Sequence, residues 1–310
     1  MNTQPTIYPA GYQYTAKNIK HTGQYVEEMI PSNGTVILFG PSGVGKTTLA
    51  CNLLNAVNQQ QQFLGRNTTG TNGMFLSLDT PEATVIKRWV RNKPSPFVPS
   101  FAFVPYEPFN CLHPNFQGSQ LYQDVASHAV KHNIGLVVVD SLRDVFDGEM
   151  NNDDMPKHVY GLFQKWFSGA TVVFIHHTRK QQFAGGKPIE GNIDDEATGS
   201  KYWINKAQVS LSLRGVRDQI LKLQMGKSQC FDQWSNPIVL ELNGMLVDEW
   251  NNTKTAQYTT TYNAAFNHCQ ANIPGWATMN KRTRDSEMAK HLGISDRWVR
   301  HMEAAAKNLI

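Results

Sequence analysis

Residues 40 to 48 read Gly40-Pro41-Ser42-Gly43-Val44-Gly45-Lys46-Thr47-Thr48, a set of types and spacings suited to holding phosphate. An apolar run, Thr35-Val36-Ile37-Leu38-Phe39, precedes them, and a helical run beginning Leu49-Ala50 follows. Strand, glycine-rich loop and helix start thus stand in the order that a phosphate cradle needs. Gly40 and Gly45 allow a tight turn with backbone N–H groups facing phosphate oxygens. The helix start adds a partial positive charge, and Lys46 adds a full one for the β- and γ-phosphates. The Thr47 hydroxyl suits a Mg²⁺ ion that bridges those phosphates. A glycine-rich turn beside a surface lysine is the plain alternative, and the flanking strand and helix weigh against it. The loop points to ATP with Mg²⁺.

Hydrolysis of a triphosphate needs a second carboxylate near the metal and a group that orients water. Asp140 ends the apolar run Leu136-Val137-Val138-Val139, so it stands at the carboxyl end of a buried strand, where ligands of open α/β sheets bind. It is the second Mg²⁺ candidate; as a bland alternative it caps a helix before Ser141-Leu142-Arg143. Asp79 ends another apolar run and is the candidate for orienting water, with Arg88 nine residues on and Glu82 as rival; either acid could instead cap the next helix. His176-His177 follows a further buried strand at the same edge, where a polar residue can report the γ-phosphate to the next loop. Paired histidines also suit zinc, but no third ligand sits at useful spacing.

The elements needed to position these groups are legible in outline. Strands are predicted at 35–39, 74–78, 101–104, 134–139 and 171–175, and helices at 47–58, 81–91, 121–132 and 159–167. Residues 59–72, rich in Gln, Thr, Asn and Gly, read as an exposed loop, and 180–198 as a long polar loop. Stretches 207–213, 219–224 and 238–242 alternate like strands of a meander. The fold class is therefore α/β, a mostly parallel twisted sheet flanked by helices. The expected organisation is an N-terminal arm (1–33), an ATPase domain (34–250), a polar linker (251–261) and a helical domain (262–310). The net charge of +4 sits in the last 60 residues, with eight bases against four acids, while 21 bases and 21 acids balance over the first 250. Such a tail hints at a polyanion, though a solvated helical face does as well. Four scattered cysteines, a polar start and no run of ~18 apolar residues predict a cytoplasmic protein with no membrane span.

In this order the parts resemble the RecA-like hexameric ATPases, particularly the replicative helicases of the DnaB and plasmid RepA types, over about residues 30 to 245. Ser77-Leu78-Asp79-Thr80-Pro81 with Arg88 is similar to the helicase signature Ser-Leu-Glu-Met-Pro and its spaced arginine, with Asp79 one methylene shorter than the family's glutamate. Phe174-Ile175-His176-His177 is similar to the RepA-type motif whose second histidine replaces a sensor glutamine. Gly199-Ser200-Lys201-Tyr202-Trp203-Ile204, then Ala207-Gln208-Val209, is similar to the segment after the family's DNA loop. The resemblance implies a homo-hexameric ring with ATP between neighbours, and single-stranded DNA in a channel faced by the loop from Lys180 to Gly199. Lys180, Lys187 and Lys201 would there meet backbone phosphates. Of the family's Lys-x-Arg pair reaching a neighbour's nucleotide, Lys227 matches, but Ser228-Gln229 supplies no arginine, which leaves Arg214 or Arg217 as alternatives.

Met288-Ala289-Lys290-His291-Leu292-Gly293-Ile294-Ser295, then Val299 and Met302, fits a helix-turn-helix: Ala289 at the helix contact, Gly293 in the turn, and Ile294, Val299 and Met302 in a small core. Arg297, Trp298, Arg300 and His301 would decorate the second helix and meet DNA, or belong to a face that docks a protein. Three functions remain open: a DNA motor, namely a replicative helicase; an ATP switch of recombinase or loader type, with other replication or recombination proteins as partners; and a DNA-binding regulator that uses ATP to oligomerise.

Overall fold

The computed structural model of the chain describes residues 23–78, 80–91, 100–103, 110–150, 152–178, 183–184, 187–188, 201–217, 220–243, 246–249 and 252–307. The chain opens with β1 (Gln24–Val26) and β2 (Ile30–Pro31), followed by β3 (Thr35–Gly40), α1 (Lys46–Gln59), β4 (Asn72–Ser77) and α2 (Glu82–Arg91). Then come β5 (Ser100–Phe103), α3 (Gln120–Lys131), β6 (Ile134–Asp140), α4 (Met155–Trp166) and β7 (Thr171–His177). A small hairpin, β8 (Phe183–Ala184) and β9 (Lys187–Pro188), precedes α5 (Tyr202–Lys206), β10 (Val209–Arg217), β11 (Ile220–Ser228), β12 (Ile238–Asn243) and β13 (Leu246–Glu249). Helices α6 (Asn252–Asn272), α7 (Lys281–Leu292) and α8 (Asp296–Ala306) close the described chain.

Nine of the described strands form one sheet in the order β13-β12-β11-β10-β3-β7-β6-β4-β5. The six from β10 to β5 run parallel, and β11, β12 and β13 extend them as an antiparallel meander. Strand β6 is buried at every position, as a parallel strand covered on both faces must be. Side-chain alternation divides the core in two. Val36, Leu38, Val138, Val173 and Ile175 face Leu49, Leu53 and Leu54 of α1 and Val85 and Trp89 of α2. Their neighbours Ile37, Phe39, Val137, Val139, Val172 and Phe174 face Tyr160, Phe163 and Trp166 of α4 and Trp203 and Ile204 of α5. The result is a three-layer α/β/α arrangement. Among the described residues no helix is long and apolar enough to cross a membrane.

Four expectations change. The described part of the N-terminal arm is no arm: Val26, Met29 and Ile30 are fully buried in the α1-side core, and the Thr171 hydroxyl donates to the Pro31 carbonyl at 2.6 Å. The loop 59–72 buries Phe63 and Leu64, two apolar anchors that its polar composition outweighed. Helix α6 covers nearly all of the expected linker, because 252–261 holds neither Gly nor Pro to stop a helix whose later turns bury Ala265 and Cys269. Ile294 is 37% exposed in the turn between α7 and α8, rather than filling a core, while Met288, Ala289, Val299 and Met302 are buried.

Candidate nucleotide site

Because β10, β3, β7, β6 and β4 are parallel, their carboxyl ends lie along one edge of the sheet. Gly40 ends β3, His177 ends β7 and Asp140 ends β6. Strand β7 lies between β3 and β6, pairing Gly40 with His177 and Asp140 with Ile175. Residues far apart in sequence therefore meet at the loop between β3 and α1.

The loop's backbone requires its glycines. A Cβ built on Gly40 would lie 2.1 Å from the Leu213 carbonyl oxygen of β10, so only glycine lets the two strands approach. Gly45 caps α1 with φ 106°, a left-handed conformation that favours glycine. No side chain caps α1 and its first turn carries no acid, which leaves the N-terminal N–H groups and their positive end for an anion. Leu221 and Leu242 of the meander stand 3.7 Å from a Cβ at Gly45 and back the loop.

Lys46 is 4% exposed. Its Nζ donates to the carbonyls of Gly40 and Pro41, each at 2.7 Å, and lies 3.2 Å from Nδ1 of His177. Burial pushes its ammonium down to about 8, opposed by the attraction of Asp140. Thr47 Oγ1 donates to Asp140 Oδ2 at 2.8 Å, with Asp140 only 3% exposed. A hydroxyl and a buried carboxylate in direct contact are hard oxygen donors of the kind Mg²⁺ takes, and the open space above Gly43 leaves the loop accessible to phosphate. The residues present fit Mg²⁺ and a triphosphate.

Lys46, Thr47, Asp140 and His177 are thus brought together. Glu82 is exposed at the start of α2, beyond the end of β4. Asp79 lies outside the described residues, as do Lys180 and the stretch 189–200 that carries Gly199. Ser77 Oγ donates to the Thr80 carbonyl at 2.9 Å and ties the end of β4 to the approach of α2. Lys187 is in β9 and Lys201 is exposed just before α5. Arg214 and Lys227 fall at opposite ends of the β10–β11 hairpin: Arg214 pairs with Lys222 near the phosphate-loop edge, whereas the Lys227 ammonium bonds the Asn205 carbonyl at the far edge. Arg217 ends β10. In α8, Arg300 is exposed and Trp298 packs on Tyr258, with ring centroids 5.9 Å apart; Arg297 and His301 contribute backbone to the same helix. Among the described residues no cluster of three or more His, Cys, Asp or Glu side chains could hold a metal ion.

Sequence reasoning placed Gln208 only within a family-like segment and missed both its bond to β3 and the Lys46–His177 contact. Gln208 Oε1 accepts the Thr35 N–H at 2.9 Å and pins the start of β3 to the residue before β10. No local pattern announces either one, because each depends on which strands become neighbours.

A family model described as an AAA domain matches residues 14–182, more than half of the chain and the stretch holding the phosphate loop, Asp140 and His177. The chain belongs to this AAA-domain family. It thereby has a P-loop nucleoside triphosphatase fold of the AAA/RecA-like kind, which implies nucleotide binding. No curated protein matches the chain. The AAA-domain match begins at residue 14, ahead of the expected arm boundary, in keeping with the burial of Val26, Met29 and Ile30.

Proposed function

We propose that this AAA-domain protein is an ATP-driven motor on single-stranded DNA, a replicative helicase acting as a ring of six copies. The observation that carries the reading is the convergence of Lys46, the Thr47–Asp140 pair and His177 at one sheet edge. The chain leaving His177 leads directly into the segment that resembles the family's DNA loop. Lys46 binds the β- and γ-phosphates, Thr47 and Asp140 hold Mg²⁺, and Asp79 or Glu82 orients the attacking water. When bound, Mg²⁺ supplies charge neutralisation at the phosphates. His177 senses the γ-phosphate, and Lys180, Lys187 and Lys201 track the DNA backbone by charge. Arg214, Arg217 or Lys227 reaches a neighbour's nucleotide.

Three measurements test this. ATP turnover should rise several-fold with single-stranded DNA, a forked duplex should be separated in an ATP-dependent manner, and electron microscopy should show closed rings. Filaments in place of rings would favour the ATP-switch reading. A second reading, a duplex-binding regulator, draws support from α7 and α8, joined through Gly293 at φ 66° with Arg300 exposed on α8. Turnover that ignores single strands, together with tight binding of a short duplex, would favour it and sink the motor.

A further inference from the structure

The ammonium of Lys46 has three protons, and the structure provides three acceptors: the carbonyls of Gly40 and Pro41 and the Nδ1 atom of His177. Nδ1 accepts only when it carries no proton, so the neutral ring bears its proton on Nε2. The Gly40 carbonyl also accepts the Thr178 N–H at 3.1 Å, so the end of β7 and the lysine share one acceptor. This geometry ties the lysine of the phosphate loop to the strand that leads into the following loop.

We propose that His177 is a positioning residue that holds Lys46 folded back on the loop carbonyls in the nucleotide-free protein and yields it to a γ-phosphate, so that the pair separates triphosphate from diphosphate. The proposal deepens the nucleotide reading and rests on it, independently of any motor activity. All three acceptors of Lys46 are neutral, and an anionic phosphate oxygen makes a bond roughly twice as strong with an ammonium. The longest of the three, the 3.2 Å contact with Nδ1, is the first to be exchanged. Once Lys46 moves, the Nε2–H of His177 stays a donor, the polarity a phosphate oxygen requires. A diphosphate brings no terminal group for that donor and competes less well for the lysine.

The test compares equilibrium binding of ADP and of a β,γ-imido ATP analogue, with Mg²⁺, to the full chain and to three variants: His177→Ala, His177→Asn and His177→Gln. Asparagine places its Oδ1 where the imidazole carries Nδ1, whereas the amide of glutamine reaches the position of Nε2. Loss of the latch in His177→Ala should tighten ADP and narrow the triphosphate preference by about fivefold, the worth of one ordinary hydrogen bond. His177→Asn should restore the weaker wild-type ADP affinity, and His177→Gln should not. A structural role alone would move both nucleotides together and would not distinguish the two amides. Unchanged ADP affinity in His177→Ala, or equal restoration by Asn and Gln, would overturn the proposal. Failure of the wild-type chain to bind either nucleotide would instead overturn the nucleotide reading beneath it.

Discussion

Replacing Lys46 with methionine should make the nucleotide-free protein more stable while abolishing its response to nucleotide. The side chain is 4% exposed, and burial pushes its ammonium from 10.5 to about 8 despite the opposing pull of Asp140. At about 1.4 kcal/mol per pKa unit, keeping that charge in place at neutral pH costs about 3 kcal/mol. The attraction of Asp140 is already contained in the net displacement, so it does not enter a second time. Methionine has similar length and no charge; it removes the cost but forfeits the bonds to the two loop carbonyls and to His177, about 1 kcal/mol each. The expected gain is at most about 3 kcal/mol, a rise in Tm of up to roughly 10 °C for a domain of this size class. Between pH 8 and 10.5 the unfolded chain holds the lysine proton and the folded one does not. Lys46 should therefore add stability as pH rises through that window, against the opposite pull of the raised thiols of Cys111, Cys230 and Cys269, which act alike in both proteins, so the stability advantage of the methionine variant should shrink from pH 8 to 10.5. Thermal unfolding with and without Mg-ATP reads both effects, since nucleotide lifts the wild-type Tm by mass action and should not lift the variant's. A variant less stable than wild type at pH 7, with an unaltered pH profile, would refute the reasoning.

Three further outcomes are expected. Thr47→Val removes the donor to the buried Asp140 carboxylate, so stability should fall by about 2 kcal/mol and the Mg²⁺-dependent part of ATP affinity should vanish, while Thr47→Ser keeps both. Retention of that Mg²⁺ dependence by the valine variant in a binding titration would remove Thr47 from the metal site. Gly40→Ala drives a methyl into the Leu213 carbonyl and should cost about 3 kcal/mol in denaturant unfolding, whereas Gly43→Ala enters open space and should cost about 1 kcal/mol from its φ of 76°; equal costs would contradict the strand contact. Tyr258→Phe deprives the buried Glu241 of a 2.8 Å hydrogen bond that joins α6 to β12, so amide exchange in the first turns of α6 should speed up by at least tenfold, in line with about 1.5 kcal/mol. Unaltered exchange would mean that the bond does not hold the helices to the sheet.

Much of the site was legible because its signals are local. The loop from Gly40 to Thr48 and the acid at the end of 134–139 each depend on a short run of neighbours, and the strand that positions Asp140 is apolar throughout because both its faces are covered. The burial of Met29, Ile30, Phe63 and Leu64 was not legible, since isolated apolar residues in polar stretches carry no period. Nor was the helical state of 252–261, where weak local preference is overridden by the packing of later turns.

By itself, the amino-acid order determined the glycine-rich loop and the α/β class and named the residues of the candidate site, because backbone freedom at glycine and alternation of apolar residues act over a few positions. Tertiary structure alone decided that β7 is inserted between β3 and β6, which brings His177 to Lys46 across 131 residues and Thr47 to Asp140 across 93. It also decided that Arg214 and Lys227 stand at opposite edges of the sheet. Strand order is a property of how whole layers cover one another, and no short window of sequence contains it.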